Sequence, residues 1–395
     1  MVKKDYELTY SGKKPEREII SKTPIVNLEK IKDFGKFRPL NNWNNMLIFG
    51  DNLPVLKTLL SDPSIKGEIK LIYIDPPFAT NHNFRVGKSR TATISASEED
   101  ETAYIDRLHG SKYFEFLRER LILMRELLAD DGSIYVHIDC KIGHYVKILM
   151  DEIFGEENFI NDITRIKCNP KNFPRKAYGN IKDMILFYSK TNKYIWNDPR
   201  EPYTQEDIEK LFPKIDENGR RYTTVPLHAP GETKNGATGK SWRGMLPPKG
   251  RHWRYPPEVL EELDKKGLIE WSKRGVPRLK IYADEFIKKG KRRQDIWEFK
   301  DPQYPSYPTE KNLDMHKVII EASSNSGDIV LDAFVGSGTT LVAAEMLGRR
   351  WIGIDNSPYA IKISIKRLLK MKNCRLFTLY NATGKPLPET LQEIL

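Results

Sequence analysis

Between residues 46 and 160, unbroken apolar runs alternate with segments whose apolar residues return every three or four positions. MLIFGDNLPVLKTLL, 46–60, predicts a strand, a turn at Gly50-Asp51-Asn52, and a helix with Pro54 in its first turn. IKLIYI, 69–74, is continuously apolar, as a strand buried on both faces requires. Tyr113, Phe116, Leu117, Leu121, Met124, Leu127 and Leu128 then form one face at helical spacing. GSIYVHID, 132–139, predicts the next strand, and 142–153 a helix with Ile142, Val146, Leu149, Met150 and Ile153 inward. The rhythm returns near residue 300. It predicts a helix from Thr309 through Ala322, a strand over 328–333, a helix over 339–347 ended by Gly348, a strand over 349–355, and a last helix opened by Ser357-Pro358.

Strands alternating with helices predict an α/β fold, a doubly wound and mostly parallel Rossmann-like sheet. Residues 41–160 and 301–380 supply its two halves, and 161–300 is an α+β insert rich in turn signals such as NPKNFP and HAPGETKNGATGK. Residues 1–40 predict a charged arm or peripheral hairpin, and 381–395 a C-terminal tail. The stretch 79–111 has no apolar stripe, and a loop of that length inside a domain points to function or disorder.

Charge sharpens the division. The chain carries a formal +11, yet 161–300 alone holds 31 Lys+Arg and 19 Asp+Glu, a net of +12, so the rest is close to neutral. Trp196, Trp242, Trp253, Trp271 and Trp297 lie in the same segment. Basic residues interleaved with aromatics suit a polyanion with stackable bases, although a small aromatic core under a basic surface has the same composition. No apolar run reaches membrane-spanning length and the first residues lack an apolar signal region, so a cytoplasmic location is expected. Cys140, Cys168 and Cys374 form no CxxC pair, and no metal is expected.

Two turns carry candidate chemistry. DAFVGSGTT, Asp332 to Thr340, joins a strand to a helix, and Gly336 and Gly338 let a ligand approach the backbone. The next strand ends on Asp355, placed to accept hydrogen bonds from ribose hydroxyls. Position 341 is Leu where a dinucleotide fingerprint has Gly, which favours a nucleoside ligand without pyrophosphate; S-adenosylmethionine is one. GATGKS, 236–241, and YPPE, 255–258, lack the preceding strand that a phosphate loop or a second catalytic turn needs, and both predict ordinary loops.

The other turn is Asp75-Pro76-Pro77-Phe78, at the end of IKLIYI. Two prolines lock successive φ angles and hold a carboxylate, a carbonyl and a ring in one arrangement. That arrangement suits an exocyclic amine. Its nitrogen shares the lone pair with a base ring and is a weak nucleophile. The Asp75 carboxylate and Pro76 carbonyl can accept both amino hydrogens and aim the lone pair at a methylsulfonium carbon. Flipping a base from a duplex costs a few kcal/mol, and stacking on Phe78 returns about 1–3 kcal/mol.

IDPPF, followed far along by YPTEK and LDAFVGSGTT, resembles the amino-methyltransferases of DNA, in the circularly permuted order of their β class. The resemblance covers about 41–380 and is nearest to adenine-N6 enzymes such as the modification subunits of type III restriction systems. It implies Asp75, Pro76, Pro77 and Phe78 as the catalytic loop, with Phe where Tyr is more usual. It implies Asp332, Phe334, Gly336, Gly338 and Thr339 as methyl-donor contacts, Asp355 as the ribose acid and Asp51 as partner of the donor's adenine. Thr309 and Lys311 match the segment before the donor loop, where Tyr307 and Asn312 replace the common His and Pro. The expected activity is site-specific transfer of methyl from S-adenosylmethionine to adenine N6 of double-stranded DNA, with 161–300 recognising the target, in a restriction-modification setting at the prokaryotic nucleoid. A homodimer and a restriction endonuclease are the implied protein partners. The alternatives are cytosine-N4 methylation, for which Ser or Thr is usual in place of Asp75, and a non-catalytic DNA-binding homologue.

Overall fold

The computed structural model describes all residues except 1–5, 39, 41–42, 78–82, 87–100, 106–109, 171, 173, 175, 234, 306 and 308–309. Two compact units emerge, Met1–Asp198 with Gln294–Leu395, and Pro199–Arg293.

The first unit is built on a ten-stranded sheet. Its strands are β1 Glu29–Phe34, β2 Asn45–Phe49, β3 Ile69–Ile74, β4 Leu128–Ile138, β5 Phe159–Ile166, β6 Lys182–Ser189, β7 Ile296–Glu298, β8 Ile329–Asp332, β9 Arg350–Asp355 and β10 Phe377–Asn381. Their order is β1-β10-β2-β9-β8-β3-β4-β6-β5-β7. The run from β10 to β4 is parallel throughout, and antiparallel pairs occur only at β1–β10, β4–β6 and β5–β6. Six helices flank the sheet: α1 Asn52–Leu59, α2 Ser111–Leu127, α3 Gly143–Phe154, α4 Leu313–Ser323, α5 Thr339–Met346 and α6 Pro358–Leu369.

Strand alternation sorts the core into two layers. Ile72 and Ile74 of β3 pack with Val55, Leu121, Met124 and Val146 of α1, α2 and α3. Leu71 and Tyr73 face the opposite layer, with Ile319, Leu341 and Ile365 of α4, α5 and α6. Each leucine buried this completely contributes about 1.5–3 kcal/mol, so packing rather than helix propensity holds these elements.

The topology places the site. From β3 the chain crosses through α2 to β4, on one side; from β8 it crosses through α5 to β9, on the other. The paired strands β3 and β8 are therefore a switch point, and a crevice opens at their carboxyl ends. Asp75 follows β3 and Asp332 ends β8, so residues far apart in sequence become neighbours.

The expected insert boundaries need correction. β5, β6 and β7 belong to the large sheet, and the compact second unit spans Pro199–Arg293 rather than 161–300. KDMILFYS of β6 is an apolar run buried on both faces, and it fills an interior place beside β4. Turn-forming residues on either side of it hid that role. The arm expectation is also corrected. β1 caps the sheet edge against β10, and Tyr6 and Tyr10 donate to Asp151 and Glu115 at 2.7 and 2.6 Å. Within 79–111, strands Asn83–Val86 and Glu101–Ile105 pair as an antiparallel ribbon. The rest of that expectation, up to Gly110, lies outside the described residues.

The second unit holds a four-stranded antiparallel sheet of Lys214–Ile215, Arg221–Pro226, Pro277–Tyr282 and Ile269–Trp271, with a hairpin of His228–Pro230 and Arg251–Trp253 beside it. Trp242 and Trp253 are buried with Leu227, Leu260, Ile269 and Leu279, and Trp271 stacks on Trp242 at 5.4 Å. Trp242 and Trp253 build a small core with Trp271 exposed at its edge, while Trp196 and Trp297 lie in the first unit. The aromatic interleaving in the sequence is thus structural. The charge remains: Pro199–Arg293 has 22 Lys+Arg against 14 Asp+Glu, a net of +8. GATGKS contains a single short turn at Ala237–Gly239, and YPPE opens the helix Pro257–Lys265.

Candidate active site

Asp75 leaves β3 with its backbone set by the two prolines behind it. Its Oδ2 lies 2.6 Å from Nζ of Lys311, and both side chains are largely buried. Its Oδ1 is also buried and has no hydrogen-bond partner among the described residues. A buried acceptor without a donor costs about 1–3 kcal/mol, so this oxygen marks a place where a ligand N–H belongs. Phe78 and Thr309 of the expected site lie outside the described residues.

The donor loop shares the crevice. Asp332, at the end of β8, is 2 % exposed; it accepts from Phe334 N at 2.9 Å and from Thr340 Oγ1. It braces the loop from beneath. Burial pushes its carboxyl up to about 7, against the two hydrogen bonds and with the charges of Asp75 and Asp355 adding to the rise. Gly338 adopts φ 76°, and a Cβ there would meet Ser364 Oγ at 2.6 Å. Gly336 has φ 50°, and its Cβ would stand 3.6 Å from the Tyr307 ring, toward the crevice. Gly338 thus needs glycine for packing, and Gly336 is favoured by its left-handed backbone, a Cβ there making only ordinary contact with Tyr307. Thr339 Oγ1 bonds Ser337 Oγ and receives Arg367 Nη1 at 2.9 Å, and Arg367 also pairs with Glu310 at 3.0 Å.

Asp355 ends β9 and accepts from Gly336 N and Ser357 N, both at 2.8 Å, one on each carboxylate oxygen. Each oxygen keeps lone-pair capacity for another donor. Burial pushes its pKa up to about 6 despite these bonds, and the side chain retains partial exposure through the crevice.

Two adjoining cavities result. One is lined by Tyr73, Asp75, Tyr307, Lys311, Asp332, Gly336 and Thr339; the other by Gly50, Asp51, Asn52, Phe116 and Arg120; Pro77, Phe334, Asp355 and Asn356 border both. Asp51 is the N-cap of α1, accepting from Leu53 N at 3.1 Å and from Arg120 Nη2 at 2.8 Å. Arg120 also bonds Asn52 and lies 3.6 Å over the Phe116 ring. Of the expected set, Asp75, Pro77, Lys311, Asp332, Phe334, Gly336, Thr339 and Asp355 line the first cavity and Asp51 the second, while Pro76 and Gly338 line neither.

Sequence reasoning missed what stands behind it. Tyr73, two residues before Asp75 on β3, bonds His137 Nδ1 at 2.8 Å, and His137 Nε2 lies 3.2 Å from Asp183. His316 packs its ring 4.5 Å from Tyr73. Burial lowers both histidines, His316 to about 3. Period-two spacing could have flagged Tyr73 and His137 as inward polar residues on strands; His316, Asp183, Arg120 and Arg367 meet the site only through folding.

Residues 69–366 match the N6/N4 family model described as DNA methylase. The chain belongs to that family. The methylase is 46 % identical over 366 residues to the type II methyltransferase M.EcaI of Enterobacter cloacae, covering 91 % of this chain and 77 % of the relative. It is 43 % identical over 325 residues to the DNA adenine methyltransferase YhdJ of Escherichia coli K12, covering 82 % of each. The type III EcoP15I Mod subunit of Escherichia coli is 25 % identical over 404 residues, 86 % of this chain but 61 % of the subunit. The methylase thus spans about three fifths of that larger protein. Its cofactor is S-adenosylmethionine.

Proposed function

We propose that this methylase methylates the N6 amino group of adenine in double-stranded DNA at a specific site. The observation that carries the reading is Asp75: a carboxylate held by Lys311 on one oxygen and left without a donor on the other, in the cavity of the glycine-bearing loop. The aspartate in front of the proline pair favours adenine, since Ser or Thr is usual there in cytosine-N4 enzymes, and the name of the relative YhdJ agrees.

The residues fit the donor. Asp75 and Asp355 outnumber Lys311 in the cavity, which suits a cationic sulfonium. Asp51, Thr309, Phe334, Gly336, Gly338, Thr339 and Asp355 would hold S-adenosylmethionine, with Asp332 bracing the loop from beneath; the donor supplies an electrophilic methyl carbon when bound. Asp75 Oδ1 and the Pro76 carbonyl accept the two amino hydrogens of a flipped adenine. They localise its nitrogen lone pair and hold its direction, so the gain comes from orientation and fixed dipoles. Phe78 stacks on the base and offsets part of the unstacking cost.

The test is nucleoside mass spectrometry of DNA from a methylation-deficient host expressing this chain. N6-methyladenine is the expected product. N4-methylcytosine would move the assignment to the other branch of the family, and no modified base from well-folded protein would favour a non-catalytic DNA binder.

The Pro199–Arg293 unit reads the target in this proposal. Arg251, Arg254, Lys273, Arg274 and Arg278 in it have no carboxylate partner among the described ion pairs, and phosphates are their natural partners. Replacing Arg251 and Arg254 by glutamine is expected to weaken DNA binding about tenfold at moderate salt and to flatten the salt dependence by roughly two counterions. Unchanged affinity and slope in a fluorescence titration would remove the hairpin from the DNA interface. A homodimer, a restriction endonuclease partner and a bacterial cytoplasmic setting belong to the same proposal. Solution size, and co-purification with a nuclease from the source cell, test the two partnerships.

A further inference from the structure

Lys311 lines the same cavity as the donor loop, and its family position points to the methyl donor. Its geometry points elsewhere. Nζ sits 2.6 Å from Asp75 Oδ2, with the lysine side chain 9 % exposed and the aspartate 16 %. A lysine offers three donors and no acceptor. Committed to Oδ2, it fixes the plane of the carboxylate and decides which oxygen remains for the target. That remaining oxygen, Oδ1, is the one without a hydrogen-bond partner among the described residues.

We propose that Lys311 is the positioning residue of Asp75: it clamps Oδ2 so that Oδ1 alone takes the amino hydrogen of the target base. The inference rests on the adenine-methylation reading and deepens it. The setting behind the pair is stiff. Tyr73 points into the same cavity from two residues earlier on β3. It gives its hydroxyl proton to His137 Nδ1, because His137 Nε2–H faces Asp183. Asp183 in turn is bonded by Lys167 at 2.6 Å and faces Arg165 at 3.4 Å. Burial alone would raise Asp183; the hydrogen bond from His137 and the charges of Lys311 and Lys167 reverse this and hold it well below the usual carboxylate range. His316 closes the other side of the Tyr73 ring. Among the described ion pairs, Lys311 is the cation at Oδ2.

The experiment compares Lys311→Met and Lys311→Arg in wild-type and Asp75→Asn backgrounds. Two quantities are read: cofactor affinity by calorimetry, and the single-turnover rate of methyl transfer at saturating cofactor and DNA. Lys311→Met is expected to slow transfer about tenfold while cofactor affinity stays within about twofold, a loss confined to the chemical step. Lys311→Arg is expected to restore much of the rate. In the Asp75→Asn background Lys311→Met is expected to have almost no further effect, as coupled groups require. A tenfold loss of cofactor affinity with an unchanged saturated rate would overturn the proposal and make Lys311 a donor ligand. Equal rate losses in both backgrounds would overturn it too. Wild-type protein that transfers no methyl group to DNA would sink the functional reading separately. The clamp itself is then read from the acylation rate of Lys311, which Asp75→Asn raises if the pair exists and leaves unchanged if it does not.

Discussion

Asp75→Asn is expected to lower the single-turnover rate of methyl transfer by about 10²–10³-fold, the range found when one preorganised polar contact is removed from a reacting centre. Asparagine keeps the size of the side chain and changes its hydrogen-bonding pattern. Lys311 carries only donors, so the amide oxygen turns toward it. The amide nitrogen is then left facing the amine of the base, donor against donor, where Asp75 Oδ1 offered an acceptor. Alanine is the poorer test. It leaves the Lys311 ammonium buried without its partner, and breaking a buried pair in that way costs about 3–5 kcal/mol of stability. The asparagine variant is therefore expected to fold, and to bind cofactor within about threefold of the parent. Rapid-quench measurement with saturating cofactor and a duplex bearing the mapped site decides the matter. A rate within about tenfold of the parent would mean that another group accepts the amino hydrogen.

Cofactor binding is expected to weaken in mild acid. Burial pushes Asp355 up to about 6, against the hydrogen bonds from Gly336, Ser357 and Asn356. Above that value the group is a carboxylate with spare lone pairs for two ribose hydroxyls. Below it the group holds a proton and gives up part of that capacity. The dissociation constant of S-adenosylmethionine should be nearly flat above about pH 7 and rise by up to tenfold per unit below about pH 6. Hydrogen bonds to a charged acceptor are worth about 1.5–3 kcal/mol, so Asp355→Asn should weaken binding roughly 10–100-fold at pH 8. The same variant should remove the acid dependence. Asp332, pushed up to about 7 in the same crevice, is the competing source. It is 2 % exposed beneath the loop it bonds through Phe334 and Thr340, which sets it to brace the loop rather than contact the ligand. Calorimetric titrations of parent and variant across pH 5 to 8 separate the two. An Asp355→Asn protein that keeps the parental pH dependence would move the role to Asp332.

Much of this was legible before folding. Continuous apolar runs and the 3.6-residue period located β3, β4, β8 and β9 with the helices between them, because parallel strands buried on both faces leave such runs. Asp75, Gly336, Gly338 and Asp355 were legible because a rigid proline turn, a tight glycine turn and an acid at a strand end each leave a local signature. β6 escaped as part of the sheet, since an apolar run does not say which sheet it joins. The tryptophans of the second unit were misleading for a related reason. A ring that stacks on a base and one that fills a small core look the same in composition, and burial of Trp242 and Trp253 decides between them.

By itself the sequence determined the alternating α/β plan, the two turns that carry chemistry, and the concentration of positive charge between them. These are properties of short segments, set by local sterics, periodicity and charge. Only the tertiary structure decided that β3 and β8 lie side by side, which sets Asp75 beside the donor loop across more than 250 residues of chain. It alone paired Lys311 with Asp75, left Oδ1 without a donor, and placed Tyr73, His137, His316 and Asp183 behind them. Those facts depend on strand order and on burial, and both arise when distant segments share one core.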